Sequence, residues 1–265
     1  MGRAQRADDA RQGARLTETG AAQLWSAGEY DELAERFAPV HDRLVERLDP
    51  QPGERWLDVA TGTGEVAIRA AAAGADVIGC DIAPGMLEVA RAKAPEIPFE
   101  PADAQALPYE DASFDVVSSS FGVIFAPDHR ATSDELARVC RGRLGLTSWQ
   151  PDDELRELYE SFDVTLPEGA EPFEWGRREH LDELLASAFD LEIEEGTWYL
   201  EGGSGEELWE FWTRAAPPFK AMVEGMDDQK RAAFRAGYIE YCERHREGDL
   251  VRPPRRYLLV IGRRT

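Results

Sequence analysis

Residues 57–65 read Leu57-Asp58-Val59-Ala60-Thr61-Gly62-Thr63-Gly64-Glu65. A short apolar run ends in a glycine-rich turn, and the alanine-rich EVAIRAAAA (65–73) carries on with helical character until Gly74. Such a strand–turn–helix leaves backbone N–H groups unpaired at the helix start and lets a ligand approach the chain at Gly62 and Gly64. Taken alone, these glycines with Ala67 also fit a dinucleotide-binding turn.

Outward from this unit the rhythm repeats. DVIGCD (76–81) predicts a second strand, and PGMLEVARAKA (84–94) a helix with Pro84 in its first turn. IPFEPAD (97–103) predicts a short third strand, FDVVSSSFG (114–122) a fourth and RLGLTSW (143–149) a fifth, with a helix over about 128–140. Upstream, Leu33, Phe37, Val40, Leu44 and Leu48 share one helical face, interrupted at Pro39 and stopped by Pro50 and Pro52-Gly53. Downstream, a helix is expected over 177–189 and strands at LEIEEGTWYL (191–200) and RRYLLVIGRR (255–264). The alternation implies right-handed crossovers, hence an α/β, Rossmann-like, seven-stranded, mostly parallel sheet with helices on both faces. The roughly fifty residues between the last two strands are rich in aromatics and predict a helical lid over about 205–247. The expected division is a mobile arm (1–20), a helical cover (21–50), a cofactor-binding core (51–150) and the rest of the sheet with its lid (151–265).

Composition narrows the partners. Of the 265 residues, 30 are Lys or Arg and 52 Asp or Glu, a net charge of −22. A phosphate lattice repels such a surface, so nucleic acid and anionic membranes are poor partners. The three cysteines lack paired spacing, which fits reduced thiols and neither a disulfide framework nor a zinc site. No apolar run reaches the ~18 residues of a membrane span, and the N-terminal stretch lacks a signal-like apolar region. A cytoplasmic monomer or homodimer is expected, acting on a small molecule without a metal.

Three acids give the glycine turn its meaning. Asp58 lies near the carboxyl end of the first predicted strand, Asp81 ends the second, and Asp103, followed by Ala104, ends the third. Ligands of open parallel sheets bind beyond the carboxyl ends of the strands, so all three face one crevice. A carboxylate at 81 suits the two hydroxyls of a ribose, and one at 103 an adenine amino group. An acidic crevice suits a ligand that carries no phosphate.

Here LDVATGTGEVA, GCDIAPGMLEVARAKA, PADAQALPYEDASFDVVSSSFGVIFAPD and RLGLTSW resemble, in order and at matching spacing, the motifs of the class I S-adenosylmethionine-dependent methyltransferases. The likeness is nearest to the branch that includes quinone-biosynthesis and related small-molecule enzymes, and covers about residues 25–150. It implies S-adenosyl-L-methionine as cofactor and S-adenosyl-L-homocysteine as product. Gly62 and Gly64 would pass under the methionyl part, with Asp58, Ala60 and Thr63 in the same site. Asp81 would hold the ribose, Ile82 and Met86 would flank the adenine, and Asp103 with Ala104 would meet its edge. Ser119 and Phe121 would lie beside the transferred methyl, and Trp25–Tyr30 would close over the cofactor, with Tyr30 in contact. Two departures stand out. The Pro-Gly-Gly turn before the fifth strand is replaced by Cys140-Arg141-Gly142-Arg143, shorter by about two residues, and no Asn/Asp-Pro-Pro-aromatic motif follows the fourth strand.

The expected activity is in-line transfer of a methyl group to an O, N or C atom of a small, apolar or aromatic acceptor. Alternatives are a non-catalytic protein that binds S-adenosylmethionine or S-adenosylhomocysteine, and a nicotinamide-dependent oxidoreductase. Alignment and exclusion of water do most of the work in such a transfer, so an indispensable catalytic side chain is not required. His129, after the fourth strand, is the candidate base, while His41, His180 and His245 read as surface residues. Trp149, Trp209 and Trp212 are the candidate acceptor pocket. Trp209 and Phe211 lie about 200° apart on a helix, so one face is expected to pack and the other to meet the acceptor.

Overall fold

The computed structural model describes residues 20, 22–25, 30–164 and 172–265. The expected N-terminal arm, apart from its last residue, and Ser26–Glu29 of the closing segment lie outside the described residues.

Helices α1 (Tyr30–Arg36) and α2 (Ala38–Leu48) break at Phe37, just before Pro39 in the first turn of α2. The alternating core follows as β1 (Arg55–Val59), α3 (Glu65–Ala72), β2 (Asp76–Asp81), α4 (Pro84–Lys93), β3 (Phe99–Pro101), β4 (Phe114–Ser120), α5 (His129–Val139) and β5 (Cys140–Trp149). Then come α6 (Asp153–Ser161), α7 (Arg178–Leu185), β6 (Phe189–Tyr199), α8 (Gly205–Ala215), α9 (Pro217–Glu224), α10 (Asp228–Arg244) and β7 (Pro254–Arg264). A two-residue ribbon, Arg246–Glu247 with Leu250–Val251, precedes the last strand.

The strands order as β3-β2-β1-β4-β5-β7-β6. β1 to β5 run parallel, and β7 inserts antiparallel between β5 and β6. Both sheet faces are buried, and side-chain alternation sorts the core into two layers. Trp56, Val116, Leu259 and Ile261 face α2, α3 and α4, whereas Leu57, Val117, Leu258 and Val260 face the opposite layer. The alanines of α3 permit close approach to the sheet, where Ala67 and Ala70 are fully buried.

The shortened turn at 140–143 resolves into a bulge. α5 runs directly into β5, so that strand begins at Cys140 rather than at 143. Its pairing with β4 shifts register between Phe114 and Val116. Arg141 clamps Asp115 through two bonds of 2.8 Å, and a Cβ on Gly142 would stand 2.4 Å from the Asp115 carbonyl oxygen. This is the amino end of the strand, so the departure leaves the opposite edge intact. The third strand is also shorter than expected, at Phe99–Pro101.

The long insertion is helical, and much of it is core. Leu208, Trp209, Phe211, Phe234, Tyr238 and Tyr241 are buried. α8 also grips the N-terminal helices. The Arg36 guanidinium lies 4.1 Å from the Phe211 ring centroid, and Arg214 pairs with Glu32 at 2.6 Å. Among the described residues no helix is long and apolar enough to cross a membrane.

Candidate active site

The carboxyl ends of β1, β2 and β4 open on one crevice because right-handed crossovers bring every parallel strand to the same edge. Its wall includes Asp58, Ala60, Gly62, Thr63, Asp81, Ile82, Met86, Asp103, Ala104, Phe121 and Tyr30. Backbone strain concentrates here. Ala60 and Phe121, at the ends of β1 and β4, hold φ of 52° and 54°, a left-handed conformation that non-glycine residues seldom adopt. Between them only glycine fits at 122, where a Cβ would approach the Ala60 carbonyl oxygen to 2.7 Å.

Asp58 braces the glycine loop from below. It accepts hydrogen bonds from Thr61 Oγ1 at 2.6 Å and Ser118 Oγ at 2.7 Å, and Ser118 in turn accepts from the Trp56 indole at 2.8 Å. Burial pushes its carboxyl up to about 6, against the lowering effect of those hydroxyls. Asp81 accepts from the Gly62 amide at 2.9 Å and the Ala83 amide at 2.8 Å, and burial raises its pKa as well. Asp103 folds back on the Gln105 amide at 2.9 Å. The Tyr30 hydroxyl is held well above its ordinary range by burial and by the charges of Asp81 and Glu65.

His41 corrects the surface reading. It is 5% exposed and lines the crevice, and burial lowers its pKa to about 4. The signal was present, since position 41 follows Phe37 by four and precedes Leu44 by three on the apolar stripe. His180 and His245 are half-buried and bonded rather than free surface groups.

Three further positions differ from expectation. Gly64 adopts φ 87° against Phe99, whose Cζ a Cβ would meet at 2.9 Å, so it serves helix packing and does not line the crevice. Ser119 is fully buried and caps the turn after β4, accepting from the Val123 amide at 3.1 Å, while Ser120 lines the crevice. His129 bonds His180 at 2.9 Å near Trp175 and lies outside the described lining of the crevice.

Beside the crevice lies a larger, mostly apolar cavity of about 750 Å³. The two share Trp25, Tyr30, Phe121 and Phe125 as a common wall. Trp149 stacks on Phe121 at 3.9 Å and 7°, and Trp212 lines the same cavity. Trp209 does not. It is buried against Phe219, Phe234 and Tyr238, so its expected place in the pocket is corrected to the core. Phe125, Gln105 and Arg255 also line these cavities, and no local sequence pattern singled them out, whereas Phe37, read as part of an apolar helical stripe, lines the larger one.

Residues 57–143 match the family model described as a methyltransferase domain. The demethylmenaquinone methyltransferase of Beutenbergia cavernae is 34% identical over 152 residues, covering 50% of this chain and 63% of that protein. The solved YcgJ protein of Bacillus subtilis shares the fold, with a TM-score of 0.58, 20% identity, and coverage of 84% of this chain and 97% of that one. Over residues 57–143 the chain is therefore similar to a methyltransferase domain. A Mycobacterium tuberculosis protein described as uncharacterized is 41% identical over 175 residues, covering 62% of this chain. The match spans 64% of that relative's length. Within this methyltransferase fold, the family match falls on the strands and turns that build the crevice, and stops before the helices that wall the larger cavity.

Proposed function

We propose that the protein transfers the methyl group of S-adenosylmethionine to an O, N or C atom of a small, apolar or aromatic acceptor. The observation that carries this reading is the common wall between the acidic crevice and the apolar cavity. Donor and acceptor held on either side of Tyr30 and Phe121 would meet without crossing bulk water.

The crevice fits the cofactor on its own chemistry. Two of its buried polar atoms, His41 Nδ1 and Thr63 Oγ1, have no hydrogen-bond partner, and such atoms call for a polar ligand. Asp81 would hold the ribose hydroxyls, Ile82 and Met86 would flank the adenine, and Asp103, Ala104 and Gln105 would border its edge. The loop at 60–63 would face the amino-acid end. When bound, S-adenosylmethionine supplies an already activated sulfonium methyl. The residues of this chain have then to align, desolvate and confine, with α8 and α9 serving as the acceptor-side cover. The test is calorimetry with S-adenosylhomocysteine and with NAD, followed by methyl transfer to a panel of phenols, quinones and amines. Asp81→Ala should weaken S-adenosylhomocysteine by about 1–3 kcal/mol, the worth of hydrogen bonds to a charged acceptor. NAD binding without S-adenosylhomocysteine binding overturns the reading.

A further inference from the structure

The larger cavity is apolar over most of its wall and carries three cations, of which Lys230 donates to the Asp163 carbonyl at 2.9 Å, Arg256 is exposed, and Arg255 is largely buried without a close carboxylate. Arg255, at the start of β7, keeps only 15% of its side chain exposed. Its nearest carboxylate oxygen is Asp152 Oδ2 at 3.9 Å, the Tyr241 ring centroid lies 5.9 Å from the guanidinium carbon, and the side chain makes no hydrogen bond among the described residues. Asp152 is itself engaged, since its Oδ1 caps α6 by accepting from the Leu155 amide at 3.1 Å. The other acids on this wall, Asp163 and Asp227, are exposed, and Asp227 caps α10 by accepting from the Lys230 amide at 2.8 Å.

A guanidinium carries five N–H donors in a planar fork and stays charged at every working pH. Leaving those donors unmet in an apolar wall is unfavourable unless something else meets them. Two neutral polar atoms on the same wall share the condition, because Trp212 Nε1 and Gln150 Oε1 are buried without partners. The wall therefore offers a cation and an indole donor to whatever fills it, together with a broad aromatic surface at Trp149 and Phe121.

Building on the methyl-transfer reading, we propose that the acceptor is an organic anion, an aromatic or apolar body bearing a carboxylate that pairs with Arg255. A carboxylate matches the guanidinium fork in a way that a neutral amide or hydroxyl does not. The rings of such a body would lie against Trp149 and Trp212.

The test compares matched aryl carboxylates and carboxamides, with benzoate, naphthoate and anthracene carboxylate against their amides. Binding is measured by calorimetry to the full chain saturated with S-adenosylhomocysteine. In the best-bound pair the acid should bind at least tenfold tighter than the amide. Arg255→Gln should abolish that preference while S-adenosylhomocysteine affinity stays constant, and Arg255→Lys should keep part of it. Amides that equal or exceed their acids overturn the proposal, as does a preference that survives Arg255→Gln, or a failure of every acid to bind. Should Arg255→Gln not fold, the wild-type pairs and Arg255→Lys decide. Failure of S-adenosylhomocysteine to bind the wild type overturns the methyl-transfer reading instead, and the acid–amide comparison is then made without it.

Discussion

Asp58→Asn should make the protein's stability rise relative to wild type as the pH is raised from about 4 to about 7. Asp58 is 2% exposed, and its pKa is lifted from 3.8 to about 6. Because the folded-state pKa lies above the unfolded one, the folded protein binds the extra proton between these values. The stabilisation is complete below 3.8 and is lost as the pH passes 6. At about 1.4 kcal/mol per pKa unit, the wild type loses roughly 2–3 kcal/mol over that window, and an asparagine loses none of it. His41 tilts the other way. Its pKa falls from 6.5 to about 4 on folding, so its stabilisation is present above 6.5 and is lost as the pH drops through 4. The two slopes oppose each other in the wild type, which hides both. The assay is urea unfolding of variant and wild type at a series of pH values, read as the difference between them so that surface carboxylates cancel. A difference that stays flat from pH 4 to pH 7 refutes the buried, proton-binding Asp58.

Gly142→Ala should destabilise the protein by about 1–3 kcal/mol while leaving S-adenosylhomocysteine affinity unchanged, as checked by thermal melting and calorimetry. Its Cβ would press on a backbone oxygen at 2.4 Å, at the sheet edge opposite the crevice. Trp209→Ala should lower stability by about 3–5 kcal/mol, the cost of emptying a buried aromatic site, with cofactor affinity preserved in the folded fraction. A mild stability effect, or a selective loss of acceptor binding, would return Trp209 to the pocket.

The architecture was legible because it is written in local patterns. Apolar strands, alanine-rich helices and the punctuation at Gly74 and Pro84 recur at a spacing that only a crossover sheet accommodates. Asp58, Asp81, Asp103 and the turn at Gly62 could be placed on one edge for the same reason, since parallel strands end together whatever packs around them. What the sequence left undecided were questions of direction and of distant neighbours. Ser119 and Ser120 are alternatives separated by one residue, and the pleat turns the first inward to cap the following turn and the second toward the crevice. Gly64 is required by Phe99, a partner thirty-five positions away that no turn motif reveals. Trp209 and Trp212 share one aromatic-rich helix, and only the docking of α8 against Phe234 and Tyr238 sends one ring into the core and the other to the cavity. Arg255 sits in an ordinary basic stretch, and it becomes a largely buried cation on an apolar wall only when β7 slides between β5 and β6. Periodicity fixes which residues share a face, but burial, strain and unmet charge arise between segments far apart in the chain, and those long-range contacts exist only in the folded state.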